Sequence, residues 1–520
     1  MRTFPAIAML AAALVGCNAL TGADQLVIDD EQDGAQDDGT EDDGAGASGA
    51  GTSDGGGTPI TPGGGGTPEN PLGDATGYTV DEVSFYQAVK STVFSDGAAH
   101  APTVSLVANR PAVVRIFVST TNPSGAPVTA RLTIGDHQLE VPVSGNYASD
   151  ESDYGSTINF DVPAEYMTGG SFRIELLEDG TDVGSNPSAS TPEANLSVQA
   201  SHALRVTLIP IRYQADGSNR LPDTSQNQID RYRAYFMTLY PTTDVLISVG
   251  PTLSWSGYID RGGDGWEELL NEVANQRVNA SVEFDEYYYG LFEPSDSFNQ
   301  YCVDSCVAGL GFIGQASGEY SRSAIGLGYA GDVAAWTAVH EVGHNHGRPH
   351  SPCGNVEGAD PAYPHAGGSI GTWGMDIFGH QMVSPDFKDM MGYCEPNWIS
   401  DYVFEEILGF MQDTGGSANV VTPDSGESQV YERISIGGTN ADRTTWLQPT
   451  TLRRPPMGPA KNVTVTNADG SKRTVQGSFF AYDHLPGGVL FLKKEAVQNI
   501  RAIDLDVDVA GVTRKIRVAR

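Results

Sequence analysis

Residues 332–350 read Asp-Val-Ala-Ala-Trp-Thr-Ala-Val-His-Glu-Val-Gly-His-Asn-His-Gly-Arg-Pro-His. Val333, Trp336 and Val339 form an apolar stripe at helical spacing, and Asp332 stands where a cap would start that helix. His340 and His344 lie four positions apart, so both imidazoles leave the same helix face one turn apart, the spacing that grips a single ion. Gly347 is placed to take the left-handed conformation that ends a helix, and Pro349 keeps it from resuming. His350 can then swing back as a third nitrogen ligand. Three protein ligands leave the fourth tetrahedral position of a zinc ion to water, which is a catalytic rather than a structural arrangement. Glu341, next to the first histidine, is positioned to take that water's proton. The chemistry expected of such a set is hydrolysis with one Zn2+.

The string His-Glu-x-x-His-x-x-Gly-x-x-His resembles the signature of the metzincin zinc metalloproteases, and the resemblance extends over roughly residues 204–415. It implies a Met-turn downstream. Asp389-Met390-Met391-Gly392-Tyr393-Cys394 supplies one, with Met391 as the methionine that floors the zinc ligands and Met390 as the competing choice. The resemblance also implies a role for Tyr393 as a hydroxyl that reaches the metal at rest and the substrate oxyanion during reaction, against the plainer reading of a buried aromatic. It further implies an edge strand that pairs with an extended substrate, for which residues 323–329 are the candidate. Ser351 is similar to the matrixin pattern, whereas Trp373-Gly374-Met375-Asp376 and Trp398-Ile399-Ser400-Asp401-Tyr402 resemble bacterial secreted metzincins of the mucin-protease type; no subfamily follows from them. His346 reads as a partly exposed histidine pointing away from the metal, and His365 and His380 as possible cleft-lining residues.

Five cysteines are present. Cys17 falls in a leader, which leaves Cys302, Cys306, Cys353 and Cys394, an even number that fits two disulfides in an oxidising compartment. A Cys353–Cys394 bridge would fasten the segment after the third histidine to the Met-turn, and Cys302–Cys306 would close a small loop before the helix; a redox or second metal site is the alternative. No cysteine lies between 18 and 301, so a thiol on zinc cannot provide latency, and a pro-segment would need a carboxylate.

Elements that position this helix can be read on both sides of it. From about Tyr78 to Ala200 apolar residues recur with period two, as in Leu139/Val141/Val143 and Phe172/Ile174/Leu176, with turn chemistry at Gly135-Asp136 and Asp179-Gly180. Between residues 203 and 415, strand-like runs such as Val206-Thr207-Leu208-Ile209 alternate with helical stretches such as Ile229/Tyr232/Phe236/Leu239. Period two returns to the end of the chain, with a turn at Asp469-Gly470. The expected fold class is therefore multidomain: an α/β (α+β) metzincin-like catalytic domain at 203–415, flanked by mostly-β, sandwich-like domains at 77–202 and 416–520.

Residues 1–17 have a charged start, a short apolar run and Leu14-Val15-Gly16-Cys17, which resembles a bacterial lipobox. That resemblance implies a lipoprotein leader and a lipid on Cys17, placing the protein at the outer membrane or cell surface. No later apolar run is long enough to span a bilayer. Residues 18–76 read as a disordered tether: 21–75 hold 13 acidic side chains and no Lys or Arg among Gly, Thr and Ser. Its reach is on the order of 40 Å. The formal charge of −36 excludes nucleic acid and anionic membrane surfaces as partners. Protein or glycoprotein substrates remain, with a rival reading as an adhesin or envelope-binding lipoprotein whose protease domain is vestigial. Calcium has only Asp260 and Asp264 to recommend it, at a spacing that matches no EF-hand.

Overall fold

The computed structural model describes residues 72–143, 148–280, 282–415, 428–437, 443–452, 455–509 and 512–520. The leader, Cys17 and nearly all of the expected tether lie outside them. The described chain is mostly β, with few helices. Among the described residues no helix is long and apolar enough to cross a membrane.

The central sheet has the order β2-β1-β3-β5-β4, formed by β1 (Leu204–Tyr213), β2 (Val245–Val249), β3 (Glu286–Phe292), β4 (Gly309–Gly311) and β5 (Ser323–Leu327). β1, β2, β3 and β5 are parallel and β4 runs antiparallel to β5. Helix α1 (Gln226–Leu239) packs on one side with α3 (Asp332–Asn345) and α4 (Asp401–Thr414), around Tyr232, Phe236, Val339, Phe404 and Met411. Helix α2 (Trp266–Asn279) belongs to a second core built on Trp266, Leu270, Ile211 and Ile325. The sheet is thus buried on both faces, as parallel strands with continuous apolar runs require.

This topology corrects the expected substrate edge. Ser323–Leu327 lies between β3 and β4 with all five residues buried, and the edge belongs to Gly309–Gly311. The run Ser-Ala-Ile-Gly-Leu has the apolar continuity of an interior strand, whereas Gly-Leu-Gly is too short and side-chain-poor to announce itself as a strand.

Two sheets on the N-terminal side share one core, with Val83, Phe85, Val114 and Ile116 facing Leu132, Ile174 and Leu176. Val128–Ile134 and His137–Val143 form the hairpin across Gly135-Asp136. The first strand of this pair of sheets begins at Leu72, and Gly374–Asp376, from within the segment 203–415, extends one of them by pairing with Ala88 and Val89, with Gln381–Val383 paired on its other side. Trp398 Nε1 also donates to Ala88 O at 2.9 Å, and buried Arg110 donates to the carbonyls of Met237, Thr238 and Thr242. The sandwich is therefore fastened to the helices around the site.

The C-terminal segment is one seven-stranded antiparallel sheet rather than a sandwich. Its two faces bury different cores. Ile434, Val463, Phe479 and Leu490 pack within the curled sheet, while Phe480, Val489 and Phe491 pack on Trp266, Leu310, Phe312 and Tyr320 of the central domain. Period-two patterning reports that both faces are apolar and not what covers each one; here the central sheet and helix α2 do the work of a second sheet.

Both expected disulfides are formed. Cys302 joins Cys306, and Cys353 joins Cys394 with Cα atoms 5.6 Å apart. The second closes a loop of 41 residues, for which chain-entropy arguments give about 4 kcal/mol of stabilisation. Replacing Cys353 and Cys394 together with serine is expected to lower the free energy of unfolding by an amount of that order, measured by urea unfolding.

Candidate metal centre

Helix α3 starts one residue differently from its sequence reading. Gly331 occupies the cap position and Asp332 is the first helical residue, where its carboxylate pairs with Arg231 of α1. The helix ends as expected, with Gly347 at φ +79°. Nearly every side chain between Ala334 and Asn345 is buried, so His340, Glu341 and His344 project into the interior.

Each of the three histidines is oriented by a backbone carbonyl. His340 Nδ1 bonds Met390 O at 2.7 Å, His344 Nδ1 bonds Arg348 O at 2.5 Å, and His350 Nδ1 bonds Glu357 O at 2.8 Å. A carbonyl only accepts, so each Nδ1 carries the proton and each Nε2 is left with a bare lone pair. Those of His340 and His344 are 3.1 Å apart. Burial, with help from neighbouring imidazoles, pushes the pKa of His340 down to about 3 and those of His344 and His350 well below the usual range. Bare lone pairs on neutral imidazoles repel one another unless a cation sits among them, and this donor set fits a divalent metal ion.

The turn at 389–393 supports the same site. Asp389 accepts from Met391 N at 2.8 Å and from Ser400 N at 2.9 Å, which holds the turn in shape. Met390 contributes its carbonyl to His340, and Met391 contributes its side chain: a Cβ on Gly343 would meet Met391 Sδ at 2.6 Å. Only glycine allows the helix to lie that close to the sulfur. Tyr393 brings its hydroxyl to 3.1 Å from His350 Nε2.

Glu341 is 1 % exposed, and burial raises its carboxyl pKa to about 8 against a lowering hydrogen bond with Asp483. A cation beside it would draw that value down again. A Cβ on Gly309 would come within 2.2 Å of Glu341 Oε1, so the edge strand β4 runs directly past this carboxylate. A small pocket opens here between Gly309, Thr337, Glu341, Tyr393, Asn397 and His484.

Two site residues escaped the sequence reading. His484 reaches in from the C-terminal sheet, with Nε2 3.0 Å from Glu341 Oε1 and Nδ1 hydrogen-bonded to Tyr393 Oη. Asp483 lies 3.4 Å from His344 Nε2. Ligand atoms of His340, His344, His350 and His484 all fall within 4.8 Å of one another, as do those of Glu341, His344, Asp483 and His484. His484 stands 143 residues after Glu341 in the turn between two strands, and no local spacing marks it.

Other candidates lie elsewhere. His365 pairs with Asp401 at 2.6 Å, and His380 pairs with Asp161 at 2.8 Å while stacking on Tyr154, so neither joins the metal-ligand clusters. Asp260 caps its own turn through Gly262 N, and Asp264 pairs with Arg443; among the described residues neither belongs to a group of three potential metal ligands.

His346 points away from the cluster as expected but is fully buried, which corrects the expectation of partial exposure. It stacks on Tyr287 with ring centroids 4.6 Å apart and lies beside Phe410. Desolvation pushes its pKa from 6.5 down to about 3. Between these values the unfolded chain binds the proton that the folded chain refuses, so stability rises with pH through this window and is lost as pH falls from about 6.5 toward 3. His346→Phe is expected to flatten this acid limb, measured as urea stability against pH; an unchanged slope would contradict it.

A bundle of neutral, backbone-oriented imidazoles with an adjacent carboxylate defines a metal-centre class of site. A protein-family model for Peptidase M66 matches residues 308–398, from just before β4 to Trp398, and supports a metallopeptidase family. No curated protein matches the chain.

Proposed function

We propose that the chain is a zinc-dependent endopeptidase of metzincin type, held at a bacterial cell surface by a lipid on Cys17 and acting on protein or glycoprotein substrates. The convergence of the three bare imidazole nitrogens beside Glu341 carries this reading, and the Peptidase M66 match supports it. His340, His344 and His350 would hold the zinc, which supplies Lewis acidity toward the scissile carbonyl and a water made acidic enough to react near neutral pH. Glu341 would accept that water's proton and pass it to the leaving amine. The Tyr393 hydroxyl, beside His350, is placed to donate to the oxygen on which negative charge develops. Gly309, on the strand that passes Glu341, would offer its backbone groups to an extended chain.

Incubation of the zinc-loaded full chain with a peptide library tests this. Cleavage within peptides that stops with a chelator and returns with zinc is expected; zinc-loaded protein without chelator-sensitive cleavage under any substrate condition favours the binding-lipoprotein reading.

A further inference from the structure

We propose that His484 is a fourth metal ligand supplied by the C-terminal sheet, and that residues 481–483, paired with residues 311–313 at the end of β4, hold the cleft closed. The inference rests on the zinc-site reading above.

The connection between strands β6 (Lys472–Ala481) and β7 (Gly487–Lys493) crosses the catalytic edge of the central sheet. Beyond the end of β6 the chain continues as an added strand. Ile313 N donates to Ala481 O at 3.1 Å, Phe312 and Tyr482 form an antiparallel bridge, and Asp483 N donates to Gly311 O at 3.3 Å. Gly311 N in turn donates to the Asp483 carboxylate at 3.0 Å. An exposed edge beside a reacting centre is where an extended peptide gains backbone hydrogen bonds; here the protein's own chain has taken those at 311–313.

The same segment then delivers His484 to the ends of the groups that would act on a substrate. Its ring bonds Glu341 through Nε2 and Tyr393 through Nδ1, and a ring nitrogen lies within 4.8 Å of those of the other three histidines, so ligation exchanges one of these two hydrogen bonds for the ion. A fourth imidazole completes a tetrahedral set and removes the open position that catalysis requires. The placement is built rather than casual. Tyr482 stacks on Phe312, and its hydroxyl is engaged by Asn271 at 3.0 Å and Ser435 at 2.9 Å, while His484 itself is only 6 % exposed. Hydrolysis by this form would need the 482–484 turn to withdraw from the site, so the measured rate reports the fraction of molecules with the turn out.

X-ray absorption on the zinc-loaded full chain decides the ligand set. Four imidazoles are expected in the wild type, and three imidazoles plus an oxygen donor in His484→Ala. Hydrolysis of an unstructured peptide is expected to rise about tenfold or more in the variant, as the closed population is lost. Zinc held by three imidazoles and an oxygen donor in the wild type overturns the inference and leaves the zinc-site reading intact; a chain that takes up no zinc overturns both. A variant that retains zinc but hydrolyses no faster overturns the closure, and should His484→Ala fail to fold, the wild-type ligand count decides alone.

Discussion

Glu341→Gln is expected to abolish measurable peptide hydrolysis while zinc content stays at the wild-type level. The substitution keeps the shape of the side chain and its place beside Gly309, where no larger residue on the strand would be accommodated. What it removes is an oxygen able to take and return a proton. Positioned acid–base groups contribute roughly 10²–10⁴ in rate, and in the proposed mechanism both proton transfers use the same carboxyl. The three histidines are oriented by Met390, Arg348 and Glu357 carbonyls, none of which depends on Glu341, so their grip on the ion should persist. Steady-state rates and metal analysis on the same preparation check both halves. Retained hydrolysis would mean that another group accepts the proton; Asp483, hydrogen-bonded to Glu341, is the first to examine.

His344→Ala should instead remove the metal. Loss of a group that merely supports a ligand costs about 10–100-fold in metal affinity, and loss of a ligand exceeds that. His344 is the central member of the cluster: its Nε2 lies 3.1 Å from His340 Nε2, and its ring sits 4.7 Å from those of both His340 and His350. Zinc that binds only the folded state adds stability as the logarithm of one plus the ratio of free zinc to its Kd, so the wild type should melt at a higher temperature with zinc than with chelator. In the variant that difference is expected to vanish along with hydrolysis. A melting curve that still shifts with zinc would place the ion elsewhere.

The part of the site that lies within one helix and the turn after it was legible in sequence because its geometry is local. Spacing of four residues places His340 and His344 on one face, Gly347 marks the stop, and Cys353 and Cys394 flank the elements they join. Met391 could be assigned from its turn, although its reason for being there, the bare Cα of Gly343, appears only in three dimensions. Features that depend on which strand lies beside which were not legible. Apolar continuity in Ser323–Leu327 identified a strand but could not say that Gly309–Gly311 covers its outer side. Alternation in the C-terminal segment showed two apolar faces without showing that one of them lies on Phe312 and Tyr320. His484 follows from that docking, since a histidine in the connection between two strands acquires a role only when tertiary packing brings it against Glu341 and Tyr393. His346 was misjudged for a related reason: its direction follows from helix geometry, but its burial comes from Tyr287 and Phe410 on other elements.

Elemental analysis of the purified full chain after exhaustive dialysis is the most direct check on the central claim of a zinc site at His340, His344 and His350. One tightly held zinc per chain, absent from His344→Ala prepared in parallel, is the expected result. A folded wild-type chain that holds no zinc, or a variant that holds as much as the wild type, would contradict it.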